Sequence, residues 1–157
     1  MTETTKELDL DEVKQALLAG KSLVEHLNLP EGLAKALYAI AQGHYESKQY
    51  EQAKQPCIYL VILDTHSFDA WALLGNCFSR EGNFREALDA WAHALHLRPN
   101  YDLAHEVTRT ALALKDGFTA AVGVLAMNQH ANSSERQATT MALAEELAAM
   151  NLASEEL

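Results

Sequence analysis

Residues 68–101 read FDAWALLGNCFSREGNFREALDAWAHALHLRPNY, and this stretch decides the fold. Trp71, Leu74, Gly75 and Phe78 recur at spacings of three and four, so they share one face of a helix. Gly82 stands where that helix must stop and turn. Ala87, Trp91 and Ala94 repeat the spacing on a second helix, and Pro99, which cannot continue a helix, closes the unit. Gly75 and Ala87 are small because the two helices cross closely there, and Trp71, Phe78 and Trp91 fill the space around the crossing.

An aromatic-to-alanine pair marks the start of each second helix: Tyr50/Ala53, Phe84/Ala87 and Phe118/Ala121, each 34 residues from the next. That interval is the length of a tetratricopeptide repeat. The fold class is therefore all-α, a tetratricopeptide superhelix of three helix–turn–helix repeats (34–67, 68–101 and 102–135) with flanking N- and C-terminal helices. The repeats form one domain with an N-terminal acidic segment and helix, 1–33, and a C-terminal capping helix, 136–157. In the first repeat Leu37, Ile40, Ala41 and His44 take the first-helix places, and Tyr50, Ala53, Cys57 and Leu60 the second-helix places. Pro56 falls inside that second helix and predicts a kink. The third repeat is degenerate: His105 stands where Trp71 stood and Arg109 where Gly75 stood, while Leu112, Phe118, Ala121 and Leu125 keep the pattern.

At the N-terminal side Leu10, Val13, Leu17, Val24 and Leu27 form an amphipathic stripe, which packs on the first repeat or serves as a dimer interface. Asn28-Leu-Pro30-Glu31 then opens a new helix. At the other end Ser133 or Ser134 caps a helix through about Met150, whose Leu143, Leu147 and Met150 cover the last repeat.

Charge and composition exclude several functions. The net charge of -10 and the absence of clustered Lys and Arg argue against nucleic acid. The longest apolar run, Cys57 to Leu63, is too short to span a bilayer, and residues 1–12 lack a secretory pattern. Cys57 and Cys77 lie in apolar helical surroundings without CxxC spacing and read as buried reduced thiols of a cytoplasmic protein. His93 and His96 sit three apart but gain no further ligand at metal spacing, so no metal or cofactor is expected. No phosphate loop, HExxH or GxSxG occurs, and the chain reads as a binding protein rather than an enzyme.

Positions 2, 5, 9 and 12 of each first helix face the concave side in such repeats. Here they are Lys35, Tyr38, Gln42 and Tyr45, then Asp69, Ala72, Asn76 and Ser79, then Leu103, Glu106, Thr110 and Ala113. Tyr38 and Tyr45 on one helical face make a peptide platform, since their rings offer apolar area and their hydroxyls bond a backbone; the other reading is that they pack under the N-terminal helix. Ala72, Ser79 and Ala113 leave room for a ligand's side chains. Asp69 and Glu106 disfavour a client's free carboxylate, for which Asn76 alone is suited.

Several strings then carry a family resemblance: Gly20-Lys-Ser-Leu23 before the repeats, Leu37-Tyr38-Ala-Ile-Ala41 with Tyr45 and Tyr50-Glu-Gln-Ala53, Leu63-Asp64, Leu74-Gly75 with Cys77, and Tyr101 followed by His105. Over roughly residues 18–130 the chain resembles the class II chaperones of bacterial type III secretion, the tetratricopeptide chaperones of translocator proteins. The resemblance implies a bacterial cytoplasmic chaperone that holds a hydrophobic translocator's extended segment in its groove before export, with Tyr38 and Tyr45 at the family's groove tyrosines. It also implies a homodimer through the N-terminal helical region. The sequence departs from the family at Gln42, where an aromatic is common, and after His105, where small residues and a Cys are usual. A general tetratricopeptide scaffold, or a chaperone of a needle or filament subunit, are the alternative readings.

Overall fold

A computed structural model describes residues 32–155 continuously and, before them, residues 11, 15, 18, 19, 21, 23 and 27–30. Of the N-terminal stripe, Leu10, Val13, Leu17 and Val24 lie outside the described residues, while Leu27 is described and exposed. Seven helices have described bounds: α1 (Gly32–Glu46), α2 (Tyr50–Leu63), α3 (Phe68–Arg80), α4 (Phe84–Leu97), α5 (Tyr101–Ala113), α6 (Gly117–His130) and α7 (Ser134–Glu155). Among the described residues there is no strand, and the class is all-α. The chain divides into two compact units, 1–67 and 68–157.

In the first unit α1 and α2 form a helix pair. Ala41 of α1 and Ala53, Pro56, Cys57, Leu60 and Val61 of α2 are its buried residues. Ile40 keeps half its surface exposed. Pro56 lies buried inside α2, which is helical from Tyr50 to Leu63; the proline has no N–H to offer the Gln52 carbonyl.

In the second unit α3 pairs with α4, α5 with α6, and α7 packs on α6 and α5. The core joins Ala87, Leu88 and Trp91 of α4 to Val107, Ala111 and Leu112 of α5 and Ala120 of α6. Leu143, Leu147 and Met150 of α7 pack against it, as their spacing predicted. Crossings are tight at two glycines. A Cβ on Gly75 would lie 2.3 Å from Trp91 Cδ1, and one on Gly123 would lie 2.3 Å from Thr108 Oγ1. Trp91 Nε1–H donates to Asn76 Oδ1 at 3.0 Å, which fixes the indole over Gly75. The capping helix runs to Glu155, five residues beyond the predicted end. Ser133 Oγ caps it by accepting from Arg136 N–H at 3.2 Å.

The third repeat is in a different register from the one its aromatic spacing predicts. The three interhelix turns share one construction. Gln49, Asn83 and Asp116 each donate N–H to a carbonyl five residues back, and each follows a residue of positive φ: Lys48 at 60°, Gly82 at 82° and Lys115 at 57°. From the first turn to the second the offset is 34 residues, but from the second to the third it is 33. The missing residue is in the connection after α4. Residues 98–100 join α4 to α5, whereas 64–67 join α2 to α3.

Ala120, not Ala121, is therefore the counterpart of Ala53 and Ala87, and all three are fully buried while Ala121 is exposed. Phe118 and Leu125 do not keep the pattern: they are 81% and 60% exposed. Nor does Arg109 occupy the small-residue place. That place belongs to buried Thr108, and Arg109 is exposed, so no long side chain pries the crossing open. Ala104 replaces His105 as the counterpart of Trp71 and is fully buried.

Candidate functional site

On α1, residues 38, 42 and 45 are four and three apart and so share a face. Tyr38 and Tyr45 are half-buried and Gln42 is exposed between them. The Tyr45 ring leans on that of Tyr50 at the start of α2, with centroids 5.4 Å apart and planes tilted by 59°. His44 Nδ1 lies 2.8 Å from Gln49 Oε1, tying the same turn together. Gln42 Nε2–H donates to Glu46 Oε1 at 2.9 Å, which holds its amide along the helix. The face is thus two amphipathic rings flanking one amide group, a surface that offers both apolar area and hydrogen-bonding groups to a peptide.

In the second unit the predicted residues of α3 have distinct surroundings. Asp69 Oδ1 accepts from Arg98 Nη2 at 3.2 Å, and the same guanidinium stacks 3.9 Å over the Phe68 ring. Ala72 is half-buried. Asn76 has its amide oxygen engaged by Trp91, which leaves its amide nitrogen as the donor group. Ser79 lines a cleft of about 420 Å³ with Phe84, Glu106, Arg109, Thr110 and Ala113. That cleft brings together Ser79, Glu106, Thr110 and Ala113 from the predicted face. Leu103 instead packs half-buried against the core.

The register change adds residues the sequence pattern missed. Asp102, His105 and Arg109 are the one-residue-earlier counterparts of Asp69, Ala72 and Asn76. Asp102 and His105 line a second cleft of about 420 Å³ with Tyr101, Glu106, Arg136 and Thr139. Arg136 spans it, 3.3 Å from Asp102 Oδ1 and stacked 4.4 Å over the Tyr101 ring. His105 Nδ1 sits 3.7 Å from Glu106 Oε1. The signal for these residues was the short connection Arg98-Pro-Asn100.

Nothing among the described residues assembles three or more His, Cys, Asp and Glu side chains as a metal site. His93 stacks on Trp71 at 4.5 Å, which gives that ring a packing role. Cys57 and Cys77 are buried thiols that form no disulfide. No described helix is long and apolar enough to cross a membrane.

The tetratricopeptide repeat family model matches residues 68–101, the second helix pair with its flanking connection. No curated protein sequence matches the chain. Among solved structures, a type III secretion complex from Aeromonas hydrophila superposes with a TM-score of 0.72 at 18% identity, covering 91% of this chain and 97% of that one. The Yersinia enterocolitica chaperone SycD, bound to a peptide of the translocator YopD, gives 0.64 at 21% identity over 80% of this chain and 98% of its own. PcrH of Pseudomonas aeruginosa, bound to the chaperone-binding region of PopD, gives 0.62 at 20% identity over 80% and 96%. The chain has the fold of these type III secretion structures.

Proposed function

We infer that this protein is a bacterial cytoplasmic chaperone that binds hydrophobic translocator proteins of a type III secretion system and keeps them soluble and apart before export. The observation that carries the reading is the α1 face, where the half-buried rings of Tyr38 and Tyr45, the latter leaning on Tyr50, flank the Gln42 amide on a fold shared with chaperones solved with translocator peptides. A short extended client segment laid on that face buries apolar side chains against the rings and satisfies its backbone on Gln42 and the tyrosine hydroxyls. In the second unit, taken by itself, Asp69, Ala72, Asn76, Ser79, Leu103 and Glu106 are the residues proposed for further client contacts. The mechanism is passive holding: a client bound through one segment is withdrawn from aggregation by mass action. It calls for no covalent chemistry and no cofactor. The N-terminal stripe supplies a homodimer contact.

The test is co-expression with translocators from the same genome, followed by co-purification and light scattering. The wild-type chain is expected to render one client soluble, and Tyr38→Ala/Tyr45→Ala to lose it while keeping the wild-type circular dichroism. A client retained equally by both proteins moves the site off α1. Failure of every client to bind the wild type leaves a general tetratricopeptide scaffold as the reading.

A further inference from the structure

The 33-residue register continues past the third helix pair. Asn100 Oδ1 caps α5 by accepting from Leu103 N–H, and Ser133 Oγ caps α7 by accepting from Arg136 N–H, both partners 33 residues on. The start of α7 follows that of α5 by the same interval. By register, α7 is the first helix of a further unit.

In α3 the positions Leu74, Gly75 and Phe78 lie on the helix that packs with α4, and Gly75 meets Trp91 directly. In α5 their counterparts Val107, Thr108 and Ala111 are buried, and Thr108 meets Gly123 of α6. The next counterparts are Thr140, Met141 and Ala144 of α7. Here the face is only half closed. Thr140 is buried, but Met141 is 64% exposed, and no described helix covers it. Met141 lines an apolar groove of about 340 Å³ between α6 and α7, shared by Ala121 and Leu125 of α6 and Thr140, Ala144 and Leu147 of α7.

We propose that this groove is a seat for a helix from another polypeptide: an amphipathic α-helix of about one repeat-helix length, with Gly or Ala where it crosses Met141 and basic residues on its flank. Completed pairs supply the length, since α4 and α6 each have 14 residues. They also supply the rule at the crossing. In the second unit both pairs set a glycine against the neighbouring helix, Gly75 under Trp91 and Gly123 on Thr108. Met141 brings bulk from the α7 side, so the incoming helix must be small there. An extended peptide fits poorly, because six of the eight side chains lining the groove are apolar and leave its backbone groups largely unsatisfied, unlike the α1 face with its Gln42 amide and tyrosine hydroxyls. A second copy fits poorly too. Two copies would bring together two chains of net charge -10, each with Glu145 beside its groove. The basic flank answers Glu145, one turn beyond Met141, and the net charge of -10.

The experiment uses the full chain labelled with ¹³C at its methionine methyls and no translocator, so its result is separate from the client assignment. The probe is a synthetic peptide carrying the α4 sequence, residues 84–97, with Asp89→Lys and Trp91→Ala. The Met141 resonance, assigned by its loss in Met141→Leu, is expected to shift on titration while that of buried Met127 stays fixed. Met141→Glu and Leu125→Glu, both at exposed positions, should each weaken the apparent affinity by about tenfold or more. Retaining Trp91 in the peptide should do the same. Equal binding by the tryptophan peptide, or no Met141 shift up to about millimolar peptide, overturns the proposal. So does a Met141 shift that follows protein concentration without peptide, which assigns the face to a second copy.

Discussion

In the pair α3/α4 the close crossing lays the Trp91 indole on Gly75; in α5/α6 it lays Gly123 on the Thr108 hydroxyl. The bulk has changed sides. The second pair puts one large ring on its second helix and holds it with a side-chain hydrogen bond to Asn76. The third has no aromatic at the crossing. Its Thr108 hydroxyl donates instead to the Ala104 carbonyl within α5 and lies 3.5 Å from Met127 Sδ. The same backbone arrangement is thus reached by filling space in one pair and by removing it in the other. The repeat pattern describes a volume shared between two helices, not an identity at each place.

The largest effect that would break this comparison is expected at the ring. Trp91→Ala should cost about 3–5 kcal/mol in urea unfolding followed by circular dichroism, since it opens a cavity and leaves Asn76 Oδ1 without its donor. Its counterpart Val124→Ala, at a half-buried position, should cost only about 1 kcal/mol. Next is the register itself. Ala120→Leu forces bulk into a fully buried place and should cost about 1–3 kcal/mol, whereas Ala121→Leu should stay within about 0.5 kcal/mol. The reverse order of these two would restore the 34-residue spacing.

The turns differ by a smaller amount. Asp116 caps α6 by accepting from Thr119 N–H at 3.1 Å and from the Thr119 hydroxyl at 2.7 Å, while Asn83 makes no side-chain cap on α4. The Thr119 hydroxyl, then its N–H, hold the Asp116 carboxyl below its ordinary value of 3.8, with burial opposing them. A carboxyl whose folded value is depressed adds stability that is present above the unfolded value and lost as pH falls through the folded one. Asp116→Ala should therefore cost about 1 kcal/mol at neutral pH and less below pH 3.8, and Asn83→Ala a few tenths at either pH. Opposite in sign, Lys115→Gly should raise stability by up to about 1 kcal/mol, because it relieves a lysine at φ 57° where the second turn already has glycine.

The second pair was legible because its signature residues are the ones that touch: Gly75, Phe78, Ala87 and Trp91 name their own neighbours. The capping helix was legible from Ser133 and the Leu143, Leu147 and Met150 spacing. The third pair was misread by one residue. Phe118 and Ala121 reproduce an aromatic-to-alanine spacing by coincidence, and connection length has no comparable signature. A single residue lost between Arg98 and Tyr101 turns each later side chain by about 100° around its helix axis. That rotation exchanges Ala121 for Ala120 in the core and brings Asp102, His105 and Arg109 to places assigned to Leu103, Glu106 and Thr110. The α1 face escaped this error because it precedes the deletion.

The hydroxyl of Tyr101 donates to the Arg136 carbonyl at 2.9 Å, and Thr140 Oγ1 donates to the same oxygen at 2.7 Å. Both bonds lie in the first two turns of a 22-residue helix. The Tyr101 bond ties α7 to α5 near its beginning and the Thr140 bond tightens the helix there, while Leu147 and Met150 pack its later turns half-buried against the core. Opening should therefore run as a zip from Glu155 back toward Arg136. Read by the clock of amide deuteration, the last turns of α7 should exchange first and Thr140 last within that helix, ahead of the buried amides of α4 and α5.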